Sequence, residues 1–185
     1  MEEIAQRQDS YTGTVVAVCR NPGPGLPKPI VDAVQLIADC GVEGDYHAGK
    51  LVRHRYLAKK DATRPNLRQV CLVDADVFAM LEKKGIYIGP GMMGENITIE
   101  GLALMQLAMG TQIKIGAALV ELTEVRTPCI QLNGIDPRLL KAVVSRKNGQ
   151  NVFSAGIMAR VLQSGQVRAG DQVQIADHIH WSGQV

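Results

Sequence analysis

Short runs rich in β-branched residues dominate the hydrophobic pattern of this chain. Within the runs, apolar and polar side chains tend to alternate, and 19 glycines and eight prolines interrupt the chain between them. A period of two bounded by turn residues is typical of strands in a barrel or a sandwich. The pattern predicts a mainly β fold with strands at residues 12–18, 30–37, 69–73, 96–99, 111–115, 118–125, 157–162 and 171–175.

Two segments have helical spacing instead. Residues 74–85, DADVFAMLEKKG, offer Asp74 or Asp76 as an N-cap and lysines before a terminal glycine. Residues 136–149, DPRLLKAVVSRKNG, place Pro137 at the first helical position and end near an Asn-Gly pair. We expect both helices to cover a sheet rather than to alternate with strands in βαβ units.

Length and composition exclude several classes of protein. The 185 residues are 46% hydrophobic and 21% charged, which predicts one folded domain, 1–185, with its core at about 13–175. The net charge of +2 is small and the densest basic patch, 53–60, is short, so no specific nucleic-acid binding is expected. Without an apolar N-terminal segment or a run of 18 apolar residues, we expect a soluble, cytoplasmic protein without a membrane partner.

One glycine motif, GPGMMG at residues 89–94, matches the dinucleotide-binding pattern G-x-G-x-x-G. That motif requires a following helix whose N-terminus faces a pyrophosphate. Here the next residues, ENITIEG, are β-branched and alternating, and Pro90 removes a backbone donor. We therefore interpret 89–94 as a connecting loop.

One of the four cysteines has an unusual setting. Cys129 follows a predicted strand and the sequence Arg126-Thr127-Pro128, and a nearby cation can stabilise a thiolate for nucleophilic attack or metal binding. The alternative is a buried, inert thiol. We expect that inert role for Cys19 and Cys71, whereas Cys40 precedes a glycine loop and is ambiguous.

Two segments present histidine near other polar groups. In GVEGDYHAG, residues 41–49, Asp45 and His47 either face a ligand together or belong to a tight turn, and the sequence alone slightly favours the turn. His178 and His180 have a spacing that could hold a metal from a strand. Because they lie near the chain end without a third ligand, a solvated tail is the better interpretation.

Four segments in the same order resemble the MOSC domain, the molybdenum cofactor sulfurase C-terminal domain family. They cover nearly the whole chain from residue 13 to about residue 175. Among its members, the chain is similar to stand-alone bacterial proteins of the N-hydroxylaminopurine resistance type. The four segments are GVEGDYHAG, PGMMGENITIEGL, LMQLAMGTQIKIGAALVELTEVRTPC and GIMARVLQSGQVRAGDQVQI.

The resemblance implies a mainly β MOSC-type barrel with a few flanking helices and a bound molybdenum cofactor (molybdopterin). The family's cysteine falls on Cys129, which would be the protein ligand to molybdenum, with the pterin dithiolene and oxygen completing the coordination. A phosphate and a pterin need cations and polar groups. The candidates for cofactor binding are Cys129, Arg126, Thr127, Lys28, Asp45, His47, Glu95 and Asn96.

The implied activity is the reduction of small N-hydroxylated bases or related compounds. Cys129 would hold the metal, and His47 or Asp45 would assist proton delivery as further catalytic residues. Because the chain contains no iron–sulfur domain, a separate reductase is the expected electron donor, and a homodimer is one possible assembly. Two alternatives stay open: a carrier of the cofactor or of persulfide sulfur on Cys129, and a barrel with a purely structural thiol.

The sequence departs from the family pattern at one position of the glycine loop. Position 46 is Tyr where many members have Arg, so that one expected cation is missing. We expect Arg53, Arg55 or Arg68 to replace it. Pyridoxal phosphate belongs to the sulfurase partner domain and is not expected here.

Overall fold

The computed structural model describes residues 12–177. Of the thirteen strands in this part of the chain, seven form a closed barrel and six lie outside the ring. The strands are β1 (Thr12–Cys19), β2 (Ile30–Val31), β3 (Ala33–Ile37), β4 (Gly41–Val42), β5 (Val70–Asp74), β6 (Ile97–Glu100), β7 (Gln112–Ile115), β8 (Ala118–Val125), β9 (Val144–Lys147), β10 (Gln150–Phe153), β11 (Ile157–Gln163), β12 (Gly165–Arg168) and β13 (Gln172–Asp177). The helices are α1 (Arg55–Lys60), α2 (Asp76–Glu82) and α3 (Leu139–Ala142), and two 3₁₀ turns lie at Leu104–Gln106 and Ile130–Gly134.

Seven strands close the barrel in the order β1, β13, β7, β8, β11, β5, β6 and back to β1. All neighbours are antiparallel except β5 and β6, which are parallel. Closure pairs both sides of each of these strands and removes the free edges that an open sheet would have. The predicted mainly β fold is therefore confirmed, and it is a barrel rather than a sandwich.

Alternating strand residues fill the barrel. Ala118, Val120 and Leu122 on β8 are buried, and Ile113 and Ile115 on β7 join them in one core. The intervening residues of both strands are more accessible, as the period of two predicts. Hydrophobic alternation along the chain thus determines which face of each strand lies inside.

Strand β5 is buried on both faces. Leu72 belongs to the barrel core, whereas the next residue, Val73, packs with Val77 and Leu81 of α2 in a second hydrophobic cluster. A strand covered on both faces reads as a continuous apolar run rather than an alternating one. Helix α2 therefore acts as the expected cover on the barrel wall.

The structure corrects the predicted helix at residues 136–149. Only Leu139–Ala142 are α-helical, and β9 and β10 then form a two-stranded hairpin. Its turn is Asn148-Gly149, with positive φ values of 50° and 78°, and Asn-Gly is the strongest short hairpin signal. The turn chemistry and the β-branched pair before it outweighed the helical spacing.

Smaller differences concern boundaries. The predicted strand 30–37 divides at Asp32, so that β2 extends β1 while β3 joins a separate sheet in the order β12, β3, β4. Helix α2 begins after Ala75, and Asp74 accepts a hydrogen bond from the backbone of Asp76 rather than capping a later turn. Helix α1 was not predicted. None of the helices within residues 12–177 is long and apolar enough to cross a membrane.

Candidate functional site

A cavity of about 270 Å³ opens at one end of the barrel. The strand registers bring the last residues of β1 and β8 to this end, together with the first residues of β5, β6 and β11. Loops that follow or precede these strands form the cavity walls. The cavity is lined by polar, aromatic and apolar side chains, among them Lys28, His47, Arg53, His54, Tyr56, Arg68, Cys71, Asn96, Arg126, Thr127, Cys129 and Ile130.

Cys129 lies in the cavity wall just after β8. Its backbone is extended, with φ −119° and ψ 164°, and it directly precedes the 3₁₀ turn at Ile130–Gly134. The residue is exposed, and Gln131 Oε1 lies 3.7 Å from its sulfur. Cys129 is therefore not buried, and it is accessible to a ligand in the cavity.

Arg126 ties together two backbone segments beside the cysteine. Its guanidinium donates to the carbonyl oxygens of Met93 at 2.6 Å and Ala155 at 3.2 Å, and its backbone N–H donates to Gly156. The side chain thus links the 89–94 loop to the start of β11. Arg126 and Thr127 both line the cavity, so the expected polar pair beside Cys129 is present there.

Asp45 is the centre of a buried polar network. Its carboxylate is 1% exposed and accepts from Lys28 Nζ at 2.8 Å, from the Asn96 amide at 3.1 Å and from the backbone of Asn21. Its other oxygen accepts from the backbone N–H of His47 and lies 3.4 Å from His47 Nδ1. Burial opposes ionisation, but the contacts with His47 and Lys28 outweigh it and hold the pKa of Asp45 well below its ordinary value.

The 41–49 loop therefore forms the expected tight turn and also presents a side chain to the cavity. Asp45 does accept a hydrogen bond from its own loop, two residues on, as a turn residue would. The same carboxylate also orients His47, whose ring lines the cavity. A proton held on Nδ1 by Asp45 leaves Nε2 as the atom that can exchange a proton with a ligand.

Lys28 is held in place by the loop that resembles a dinucleotide-binding motif. Lys28 donates its backbone N–H to the Gly91 carbonyl, and a Cβ on Gly91 would clash with the Lys28 carbonyl oxygen. Gly91 has a φ of +81°, which also favours glycine. The 89–94 segment leads into β6 and not into a helix, as its interpretation as a connecting loop predicts.

Asn96 and Glu95 have different positions relative to the cavity. Asn96 lines the cavity, and both polar atoms of its side chain have partners within the protein. Its amide nitrogen donates to the Cys19 carbonyl and to Asp45, and its oxygen accepts from the backbone N–H of Cys71. Glu95 is completely buried and is not among the lining residues. Its Oε1 has partners, but Oε2 has none in the described part of the chain, and burial raises the pKa of this carboxyl.

A segment that we call the basic flap, residues 50–68, forms the outer wall. A bridge between Leu51 and Pro65 closes its neck, and the Val52 N–H donates to the Arg64 carbonyl. The side chain of Asn66 donates to the backbone oxygens of two residues in the 41–49 loop, at 2.9 and 3.0 Å. These contacts anchor the flap to the same loop that carries Asp45 and His47.

The flap contributes five lining residues: Arg53, His54, Tyr56, Asn66 and Arg68. The sequence suggested Arg53 and Arg68 as replacement cations, and both reach the cavity. His54 was missed. Its Nδ1 is buried without a partner among the described residues, and burial, followed by the nearby Arg68, lowers its pKa, so this imidazole is neutral.

The remaining cysteines are less accessible than Cys129. Burial raises the pKa of Cys19 to about 12 and also raises the pKa of Cys71. Cys71 nevertheless lines the cavity, which its position in an apolar strand did not predict. Cys40 is half-buried. His178 and His180 lie outside the described residues.

The lining is rich in donors. Lys28, Arg53, Arg68 and Arg126 supply positive charge, and no Asp or Glu is among the described lining residues. No three His, Cys, Asp or Glu side chains converge on a possible metal position anywhere in 12–177. The residues fit a cofactor that carries its own anionic group and most of its own metal ligands, and that needs one thiolate from the protein.

The fold and the site together define a class of protein: a closed β-barrel with a donor-rich pocket and an accessible cysteine at one end. The model of the MOSC domain family matches residues 46–174, and the chain belongs to that family. The expected family membership is thereby confirmed.

Individual relatives agree with this assignment. Protein YiiM of Escherichia coli K12 is 27% identical over 172 residues, which is 92% of this chain and 72% of YiiM. The crystal structure of YuaD from Bacillus subtilis has a TM-score of 0.73 at 20% identity and covers 89% of this chain and 95% of YuaD. The crystal structure of YiiM from Escherichia coli has a TM-score of 0.62 at 19% identity over 91% and 71% of the two chains. These similar structures support the fold.

Proposed function

We propose that this protein binds the molybdenum cofactor through Cys129 and reduces small N-hydroxylated bases or related compounds with electrons from a separate reductase. MOSC domains are associated with binding of this cofactor in general, and the chain belongs to that family. The observation that carries the proposal is the exposed thiol in a cavity with four cationic side chains and no described carboxylate. Lys28 is paired with Asp45 and Arg68 with Glu124, so Arg53 and Arg126, which have no carboxylate partner among the described residues, are the better candidates for an anionic phosphate.

The chemistry to be supported is a two-electron reduction. An N-hydroxylated amine takes up two electrons and two protons, the N–O bond breaks, and the products are the amine and one water. The cofactor, when bound, supplies the two-electron redox couple. The chain supplies binding, orientation and protons.

His47 is the proposed proton donor. Asp45 orients its ring through Nδ1, and the cavity-lining position lets Nε2 deliver a proton to the departing oxygen. Asp45 itself is buried and its low pKa keeps it ionised, so it positions His47 and does not transfer the proton. His54, held neutral in the same cavity, is a second group that can accept a hydrogen bond from substrate or cofactor.

The test uses protein purified from a host that synthesises the cofactor. Wild type should reduce hydroxylaminopurine to the aminopurine with dithionite and a viologen dye as electron source, and His47→Gln should lower kcat by about 10²-fold or more. The matched control is His54→Gln, which we expect to change KM more than kcat. A wild-type preparation that stays inactive after reconstitution with the cofactor contradicts the proposal.

A second function is favoured by the accessibility of Cys129 itself. As a carrier, its thiolate would accept a sulfane sulfur from a persulfide donor and pass it to an acceptor thiolate. Mass spectrometry of the isolated protein distinguishes the two. A labile added sulfur on Cys129 with no molybdenum supports the carrier, whereas molybdenum without added sulfur supports the reductase.

A further inference from the structure

Positive charge is concentrated in the basic flap. Residues 50–68 contain seven of the 20 Lys and Arg residues of the chain and one of its 18 acidic residues. The rest of the chain therefore has 13 basic and 17 acidic residues, so that it is net negative while the flap is strongly positive. A net charge of only +2 conceals this separation, which creates a directional field at one end of the molecule.

The flap displays its charge to solvent beside exposed apolar side chains. Its exposed cations are Lys50, Arg53, Lys59, Lys60 and Arg64, and the exposed acid, Asp61, is capped by hydrogen bonds from Thr63. Three of its large apolar residues, Leu51, Tyr56 and Leu67, are exposed, and Ile130, in another wall of the cavity, is 70% exposed. A few exposed apolar side chains surrounded by basic residues are typical of a polar, transient protein interface.

This surface adjoins the cavity. Arg53 and Tyr56 line the cavity and are exposed as well, and Asn66 fixes the flap to the loop that carries His47. A protein docked on the flap would place its own redox group close to the cavity mouth. Electron transfer between proteins falls steeply with distance, so this end of the barrel is the productive place to dock.

We propose that the basic flap is the docking surface for an acidic electron-donor protein. The inference rests on the proposed function, because that function needs two electrons per substrate and assigns no surface to the donor. The donor is oxidised by two electrons in total as the N–O bond is reduced. Charge complementarity selects an acidic partner, and steering of this kind raises association rates more than it raises affinity.

A protein partner fits better than a nucleic acid. The cationic surface is short, the remainder of the chain would repel a long polyanion, and the exposed leucines within the flap suit a protein surface. Nucleic-acid binding is therefore an outcome that the test must distinguish.

The experiment compares two double charge reversals. Lys59→Glu with Lys60→Glu alters the exposed end of α1, and Arg146→Glu with Lys147→Glu makes the same charge change on exposed β9, outside the cavity lining. The probe is a flavodoxin, an acidic flavin protein, in its reduced state. Each holoprotein is assayed twice, with flavodoxin and with dithionite and viologen, and melting curves check that both variants fold.

We expect the flap variant to lose about tenfold or more of its second-order rate with flavodoxin at low salt, whereas the β9 variant changes by less than about twofold. The dithionite-driven rate should stay the same in both. Equal losses in the two variants, or none in the flap variant, would overturn the docking surface. If the flap variant melts early, Lys59→Gln with Lys60→Gln should show a smaller loss in the same assay.

A binding measurement separates this proposal from the activity. Titration of ¹⁵N-labelled protein with flavodoxin should shift amide signals of residues 50–68 and not those of β9, whether or not the protein turns over substrate. Absence of such shifts counts against the docking surface, and absence of dithionite-driven turnover counts against the proposed function. Oligonucleotide binding that the flap reversal abolishes, without any flavodoxin binding, would replace the protein partner by a nucleic acid.

Discussion

The two walls of the cavity are built in opposite ways. The inner wall, Lys28, Asp45 and Asn96, is buried, and its polar side chains find partners within the protein. The outer wall, the basic flap and the Cys129 turn, is mostly exposed, and apart from Asn66 and the Arg68–Glu124 pair its cavity-lining side chains have few partners. A buried charge is tolerated only when paired, whereas an exposed charge or thiol stays free to meet a ligand. The inner wall should therefore control stability and the outer wall should control function.

The largest expected effect is on the inner wall. Lys28→Met removes the cation from a carboxylate that is 1% exposed and should lower the free energy of unfolding by about 3–5 kcal/mol. The matched control, Lys59→Met on the exposed flap, should change it by less than about 0.5 kcal/mol. Urea unfolding at pH 7 measures both, and similar values for the two variants would remove the distinction between the walls.

Asn96→Ala should have the next largest effect. The substitution leaves the buried Cys71 N–H and Cys19 carbonyl without their side-chain partner, which costs about 1–3 kcal/mol. Asn151→Ala, at an exposed position of β10, is the control and should be close to neutral. The same urea titration decides, and a neutral Asn96→Ala would show that water replaces the amide.

Two buried carboxyls should respond to pH in opposite directions. The pKa of Asp45 is lowered, so its ion pair stabilises the fold above about pH 4 and is lost as pH falls below that value. The pKa of Glu95 is raised, so the protein loses stability as pH rises above about 4, where the unfolded chain ionises more readily. We expect the free energy of unfolding, measured from pH 3 to pH 8, to rise relative to wild type for Glu95→Gln as pH increases. For Asp45→Asn it should fall relative to wild type over the same range. Parallel pH profiles for the two variants would contradict this assignment.

The smallest expected stability change compares two thiols of one cavity. Cys129→Ser should alter the free energy of unfolding by less than about 0.5 kcal/mol, because the residue is exposed. Cys71→Ser puts a hydroxyl into a buried strand position and should cost about 1–3 kcal/mol. Thermal melting of the two variants is sufficient, and a larger loss for Cys129→Ser would mean that this thiol is structural.

The mainly β fold could be predicted from local pattern, because alternation along β7 and β8 records which face is buried. The closure of the ring could not, since the β1–β13 and parallel β5–β6 pairings join distant segments. The helix predicted at 136–149 failed where an Asn-Gly turn competed with helical spacing.

The site residues likewise include some that local sequence indicates and some that only long-range contacts bring to the cavity. Cys129 was recognisable from Arg126 and Pro128 beside it, and Asp45 and His47 from their glycine loop. His54 and Tyr56 reach the cavity only because the Leu51–Pro65 bridge and Asn66 fold the flap over it. No spacing within residues 50–68 encodes that long-range contact. The roles assigned to Lys28, Glu95 and the other proposed cofactor-binding residues remain predictions.

The most direct test of the central claim is elemental analysis for molybdenum in wild type and Cys129→Ser, both purified from a cofactor-producing host. We predict close to one molybdenum per wild-type chain and nearly none in the folded variant. Molybdenum retained at the wild-type level in Cys129→Ser would contradict the assignment of this thiol as the protein ligand.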